Sequence, residues 1–196
     1  RSEQSILKEI DTITAKSDKK IVITDLGGPT ANMYGTFCIL PVKKNKCSRL
    51  SCLYPEICEN LNTSSKKYLR VLEKIRNHPK VKYIYINSGI RTDLALENPD
   101  FIVALAKHHT QGQLSTAPEH VSDRILNIMQ KPSIKSYDEF VKQFLAASRK
   151  YHKKYYIIPY FIVGHPGADN QSEETLTKYM RKNNISGKQI QEFYPT

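Results

Sequence analysis

The chain has 196 residues, 39% of them hydrophobic, enough for one domain with a substantial core. No apolar run nears the ~18 residues of a membrane helix, and the polar start Arg1-Ser-Glu-Gln carries no signal-peptide pattern. Thirty Lys and Arg against 19 Asp and Glu leave a formal charge of +11, which suits a polyanionic partner such as nucleic acid or a solvated basic surface.

The chain does not begin with Met, as expected of a processed or truncated piece. Ser5–Lys16 places Ile6, Leu7, Ile10 and Ile13 on one helical face. Lys20-Ile-Val-Ile-Thr24 reads as a short buried strand. Asp25-Leu-Gly-Gly-Pro-Thr-Ala-Asn-Met-Tyr-Gly35 follows it. A double glycine at a strand end lets the backbone bend sharply and approach a ligand, and Pro29 fixes the exit of that turn. Residues 36–64 read as irregular. Lys66–Asn77 is a helix stopped by Pro79, and Val81-Lys-Tyr-Ile-Tyr-Ile86 is a strand. Asn98-Pro99 opens a helix running to about His108. Gly112–Ala117 is a strand ending at Pro118-Glu119-His120, and Val121–Gln130 is a short helix. Ser136-Tyr-Asp-Glu139 reads as a capping box before a helix carrying Phe140, Phe144 and Ala147. Tyr155–Val163 is a strand ending at Gly164-His-Pro-Gly167. Ser172–Asn183 is the last helix and Gln189–Tyr194 the last strand.

About five strand–helix units in succession imply a parallel sheet. Their strand-end loops would lie on one edge, so a barrel-like sheet with one functional mouth is expected. That mouth would hold Asp25, the Gly27-Gly28 backbone, Ser88, Arg91, Glu119, His120 and His165. These side chains allow a cofactor site, with Arg91 facing a carboxylate or phosphate. They also allow metal-assisted hydrolysis on Asp25, Glu119, His120 and His165. No Gly-x-Gly-x-x-Gly or Walker loop is present. Cys38, Cys47, Cys52 and Cys58 share one window, spaced Cys-x8-Cys-x4-Cys-x5-Cys. Nothing suggests secretion, so four thiolates binding zinc or an iron–sulfur cluster compete with buried, inert cysteines. Basic runs occur at Lys43-Lys-Asn-Lys46, Lys66-Lys67, Arg149-Lys-Tyr-His-Lys-Lys154 and Met180-Arg-Lys182.

Five motifs together resemble one family. They are Asp25 to Gly35, Asn87-Ser-Gly-Ile-Arg-Thr-Asp-Leu-Ala95, Gly112-Gln-Leu-Ser-Thr-Ala-Pro-Glu-His-Val121, Pro159-Tyr-Phe-Ile-Val-Gly-His-Pro-Gly167 and Gln189-Ile-Gln-Glu-Phe-Tyr-Pro195. In this order they resemble the YgiQ-type radical SAM family. The stretch Cys47-Ser-Arg-Leu-Ser-Cys52 through Pro55-Glu-Ile-Cys58-Glu-Asn-Leu61 is similar to it as well.

The resemblance implies an α/β fold, a partial (β/α)6 TIM-like barrel with about five parallel strands and its first strand missing. Residues 1–196 would form a single core domain truncated at both ends, with an irregular cysteine-containing insertion at about 36–64. In that family a Cys-x3-Cys-x2-Cys loop binds a 4Fe–4S cluster. The cluster chelates S-adenosylmethionine, which is cleaved to a 5′-deoxyadenosyl radical that abstracts hydrogen from a substrate. Gly27, Gly28, Pro29 and Thr30 match the glycine motif at the methionine amino group. Glu119 matches a carboxylate near the amino group or ribose, Ser88 is a further contact, and Gly164, His165 and Pro166 match the segment beside adenine. The cluster motif is absent from this chain. The fragment alone is expected to be inactive and to bind neither cofactor, while the full-length parent would use both. An additional metal site at Cys38, Cys47, Cys52 and Cys58 is a separate expectation. The catalytic residues and substrate stay unknown; an anionic or RNA substrate, a flavodoxin or ferredoxin electron donor, and a cytoplasmic location without membrane contact are expected. A basic RNA- or protein-binding domain and a metal-dependent hydrolase are the alternatives.

Overall fold

The computed structural model describes residues 1–28, 30–40, 47–87 and 89–195. Helix α1 (Glu3–Ala15) starts two residues before the hydrophobic pattern does. Its cap is Ser2, whose hydroxyl accepts the Ser5 N–H at 3.2 Å. Strand β1 (Ile21–Ile23) leads through a short 3-10 turn (Ala31–Met33) to β2 (Phe37–Cys38). The segment expected to be irregular carries a small antiparallel ladder, where β2 meets β3 (Leu61–Asn62) as Phe37 opposite Asn62 and Cys38 opposite Leu61. Helix α2 (Lys66–Arg76) buries Tyr68, Val71, Leu72 and Ile75, the i, i+3, i+4, i+7 stripe of its sequence. Strand β4 (Val81–Ile84) follows.

A short helix that the sequence pattern missed, α3 (Thr92–Leu96), precedes α4 (Pro99–Ala104), which continues as a π-helical turn over Leu105–His109. Asn98 stands at the N-cap of α4 with Pro99 after it, as expected, but its side chain makes no capping bond. Its side-chain oxygen accepts the Ser65 N–H at 2.9 Å, and its amide donates to the Thr63 and Leu94 carbonyls at 2.9 Å each. It ties α3 to the start of α2 with three bonds. Asn98→Ala is therefore expected to cost about 2 kcal/mol, more than loss of a single cap. Urea unfolding measures this, and a cost under ~0.5 kcal/mol would count against the tie.

Strand β5 (Gln113–Glu119), helix α5 (Asp123–Ile128) and helix α6 (Ile134–Lys150) come next. The expected capping box at Ser136 is corrected: Ser133 caps α6 by accepting the Lys135 N–H. Ser136 and Glu139 lie inside the helix, where Glu139 pairs with Lys142. The helix begins one turn before Ser136. A capping box does occur at α7 (Asn170–Lys182), between Asp169 and Ser172. Strand β6 (Tyr156–Val163) lies before α7, and β7 (Ile190–Glu192) after it.

Strand β1 pairs parallel with β4, and β5, β6 and β7 form a parallel set. The end of β4 joins β5, because the Ser115 N–H donates to the Asn87 carbonyl at 3.2 Å. The described parallel set is two ladders, β1-β4 and β5-β6-β7, linked by that backbone bond just beyond the end of β4. It does not close into a barrel: among the described residues β1 and β7 are edges, with no backbone pairing between them. The observed class is an open parallel α/β sheet. Helices cover one face over a core that includes Phe101, Phe140, Phe144, Ile84, Ile86 and Leu114. A smaller cluster of Val121, Phe161, Leu176 and Met180 lies under α7. The opposite face is open to solvent at Val22, Tyr83, Gln113, Ala117, Tyr156 and Tyr160. Among the described residues no helix is long and apolar enough to cross a membrane. Pro29, Ser88 and the basic run 43–46 lie outside the described residues.

Candidate functional site

The loops leaving β1 and β4 are fastened together by backbone. The Leu26 N–H donates to the Tyr85 carbonyl at 2.8 Å, and the Ala31 N–H to the Gly89 carbonyl at 2.6 Å. The Asn87 N–H donates to Asp25 Oδ1 at 3.1 Å, and its side-chain amide to the Thr24 carbonyl at 2.6 Å. Asn32, buried, makes a two-bond clasp on Arg91. Its Nδ2 donates to the Arg91 carbonyl at 2.8 Å and its Oδ1 accepts the Arg91 N–H at 2.9 Å. Beneath the loop the Tyr68 hydroxyl donates to the Leu26 carbonyl at 2.6 Å. Burial, with the Asp25 charge behind it, holds that phenol far above its ordinary range.

The two glycines of the first loop differ. A Cβ at Gly27 would stand 3.1 Å from Asp25 Oδ1, so packing already restricts that position. A Cβ at Gly28 would meet no atom within 4 Å, and its φ is not in the left-handed region. Nothing within the described protein calls for glycine there.

Arg91 does not offer a free guanidinium. Its Nε and Nη2 bond Asp93 at 3.0 and 2.8 Å. Glu119 ends β5 with φ 69°, a left-handed conformation costly for a residue with a Cβ. It aims its carboxylate at Lys131 Nζ, 3.0 Å away. Thr30, Gly89, Arg91, Thr116, Lys131 and Tyr160 surround a cavity of about 210 Å³ at this edge. Gly27, Gly28 and Asp25 instead wall a groove of about 560 Å³ against Ile6, Ile10 and Ile13 of α1. Thr30 lines both.

His120 is fully buried. Its Nδ1 accepts the Ser122 N–H at 2.9 Å, and its Nε2 is buried without a hydrogen-bond partner among the described residues. Burial pulls its pKa down, against the opposing Glu173 charge. Gly164 sits at φ 68° and donates its N–H to Glu173 at 3.0 Å. His165 bonds the Pro166 carbonyl at 2.8 Å and packs its ring edge on Phe193 at 4.8 Å. Gly164, His165 and Pro166 line neither hollow. The residues of the hydrolase alternative do not gather as ligands: among the described residues no three His, Cys, Asp or Glu side chains could hold a metal ion. The same holds for the cysteines. Cys38, Cys47 and Cys52 are exposed, Cys58 is buried, and all four are free thiols.

The sequence pattern missed Asn32, Gly89, Lys131 and Tyr160. Asn32 lay inside the first motif, but its partner is 59 residues away. Lys131 carries no motif, and the Glu119 pairing alone marks it.

No family model matches the chain. Proteins named UPF0313 are among those it resembles. Over its whole length it is 42% identical to a UPF0313 protein of Clostridium botulinum (strain Okra / Type B1) and 44% identical to UPF0313 protein blr7973 of Bradyrhizobium diazoefficiens. It is 41% identical to a UPF0313 protein of the archaeal species Methanosarcina acetivorans. The chain spans under a third of these relatives, covering 31%, 29% and 26% of their lengths.

Proposed function

We propose that this chain is a core segment of a radical S-adenosylmethionine enzyme of the YgiQ type, holding the nucleoside cofactor at the C-terminal edge of its parallel sheet. Gly28 carries the reading: a glycine with open space above it, in a loop clamped by Asn32 and Gly89, is explained by a ligand on its backbone. Glu119, held in a left-handed conformation, and the Gly164 turn stand at the ends of the neighbouring strands β5 and β6. Strain of that kind concentrates at ligand sites. The backbone of Gly27 and Gly28 would meet the methionine amino group, Glu119 the amino group or ribose, and Gly164 to Pro166 the adenine.

The described cysteines do not fit a 4Fe–4S cluster, because they form no ligand group. The cluster would be supplied by another part of the longer protein, and the relatives' greater length is consistent with that. With both groups bound, the chemistry available is hydrogen abstraction from an unactivated C–H bond. This chain's part is to bind and orient the nucleoside.

This departs from the sequence expectation that the fragment alone binds neither cofactor: the chain would have a weak nucleoside site of its own, tested by titration with S-adenosylmethionine followed by amide NMR. Saturable shifts at Gly27, Gly28, Glu119 and Gly164 are expected. Gly28→Ala should raise stability by about 0.5 kcal/mol through the unfolded chain and weaken binding about tenfold, ~1.4 kcal/mol. Absence of saturable shifts at millimolar ligand, or an unweakened Gly28→Ala variant, overturns the reading.

A further inference from the structure

The open face of the sheet carries a row of tyrosines. Tyr83 is 49% and Tyr156 70% exposed, with Tyr160 also in solvent. Tyr85 shares this face, since Ile84 and Ile86 on either side of it are buried beneath the helices. The rings of Tyr83 and Tyr85 stack at 5.8 Å with 18° between their planes, so each shields one face of the other. Four such rings left on one sheet face offer a large apolar area with polar tips, the combination enriched where partners bind.

The face is also grooved. Gln113, Ser115, Lys154 and Tyr156 line a hollow of about 490 Å³. Ser115 is also a wall of the strand-end cavity that Tyr160 lines. The two hollows share that residue and run along β5 from the N-terminal edge of the sheet to the proposed cofactor edge.

The N-terminal edge is the positive end. Helices that return between parallel strands bring their C-termini there. The last turns of α2, α6 and α7 carry Lys74 and Arg76, Arg149 and Lys150, and Arg181 and Lys182. Helix dipoles account for cations in a last turn. They do not account for Lys154, which lies beyond α6 in the groove wall, or for Lys82, a strand residue whose ammonium lies 5.5 Å from the Tyr83 ring centroid. Neither lysine has an acidic partner among the described residues.

We propose that this open face binds single-stranded RNA, with bases stacked on the tyrosines and phosphates along Lys82 and Lys154. Exposed rings such as Tyr156 and Tyr160 with nearby cations are what unpaired bases need, and duplex cannot offer its base faces. Amide and hydroxyl groups of Gln113, Asn87 and Ser115 line the groove and can pair a 2′-hydroxyl. An acidic peptide would use the charge but leave the ring faces unmatched. The binding stands on this face alone. That the bound nucleotide is the substrate rests on reading the strand ends as a S-adenosylmethionine site.

The experiment is fluorescence anisotropy of a labelled oligouridylate of about 12 nucleotides with the purified chain, in the absence of S-adenosylmethionine. Saturable binding that weakens with salt is expected. Tyr83→Ala and Tyr156→Ala should each weaken it about tenfold, and Tyr83→Phe and Tyr156→Phe should retain it. Lys154→Gln should lower the salt slope by about 0.7. The deoxy oligomer should bind several-fold more weakly. Binding unaffected by the alanine variants overturns the proposal. So does equal affinity for duplex RNA or the deoxy oligomer, or competition by polyglutamate at equal charge. Melting curves confirm that these exposed substitutions fold. RNA binding without any shift on adding S-adenosylmethionine would keep the partner and remove the cofactor; the converse would keep the cofactor and remove the RNA.

Discussion

Gly89→Ala is expected to destabilise the protein by about 4 kcal/mol and to dismantle the edge where the β1 and β4 loops meet. Two costs combine. Gly89 has φ +70°, where a Cβ costs roughly 1–2 kcal/mol. A Cβ there would also stand 2.1 Å from the Gly28 carbonyl oxygen, a backbone atom with no rotamer to move. Overpacking against fixed atoms adds about 1–3 kcal/mol. Gly112→Ala supplies the control, since Gly112 has φ +76° with nothing within 4 Å of its Cβ position. Urea denaturation of both variants separates the dihedral cost from the collision. Equal destabilisation of the two would refute the close contact.

Mild acid is the second strong perturbation. His109 is 3% exposed and donates Nδ1–H to the Ile84 carbonyl at 3.0 Å. His120 is fully buried with an unpartnered Nε2. Burial lowers the pKa of each. His108, beside Arg76, is pulled down to about 4, by burial first and by neighbouring positive charge second. A lowered histidine pKa means that the unfolded chain binds the proton more readily. Stability is therefore complete above the unfolded value near 6.5 and falls as pH drops below it toward the folded values. Each buried imidazole contributes a slope of up to about 1.4 kcal/mol per pH unit in that window. A loss of about 2–4 kcal/mol between pH 7 and pH 5 is expected, read from urea midpoints. His120→Gln should flatten the profile. A wild-type profile that is level over this range would show that these rings are accessible to protons.

Much of the fold was visible in the sequence where burial has a period. The helix near 66–77 and a strand from Val81 occur where the sequence places them, although the expected inward Leu69 is only half-buried, with Tyr68 and Val71 buried beside Leu72 and Ile75, and the strand stops at Ile84. Elements set by single contacts were not. Helix α3 is too short for a period to show. Asn98 looks like a cap in sequence because its competing partners, Ser65 and Thr63, belong to a distant segment. The start of α6 is ambiguous in the sequence because two serines three positions apart offer the same signal, and only Ser133 is where the helix begins. Strand–helix alternation announced a parallel sheet. It could not announce closure, which depends on whether the edges of β1 and β7 meet. At the site, Gly27-Gly28 was legible as a turn. The Asn32 clasp and the Lys131 partner of Glu119 were hidden by sequence distance and by the lack of any motif around them.

The clasp between Asn32 and Arg91, with the Gly28 carbonyl pressed on Gly89, makes two distant stretches of chain one inheritable unit. While the first loop keeps its carbonyl in that place, position 89 admits only glycine. While residue 91 offers its backbone, position 32 requires a side chain that both donates and accepts. Neither loop can drift alone. Substitutions compatible with this edge must arrive in pairs, and the ligand chemistry it supports will change in steps rather than by degrees.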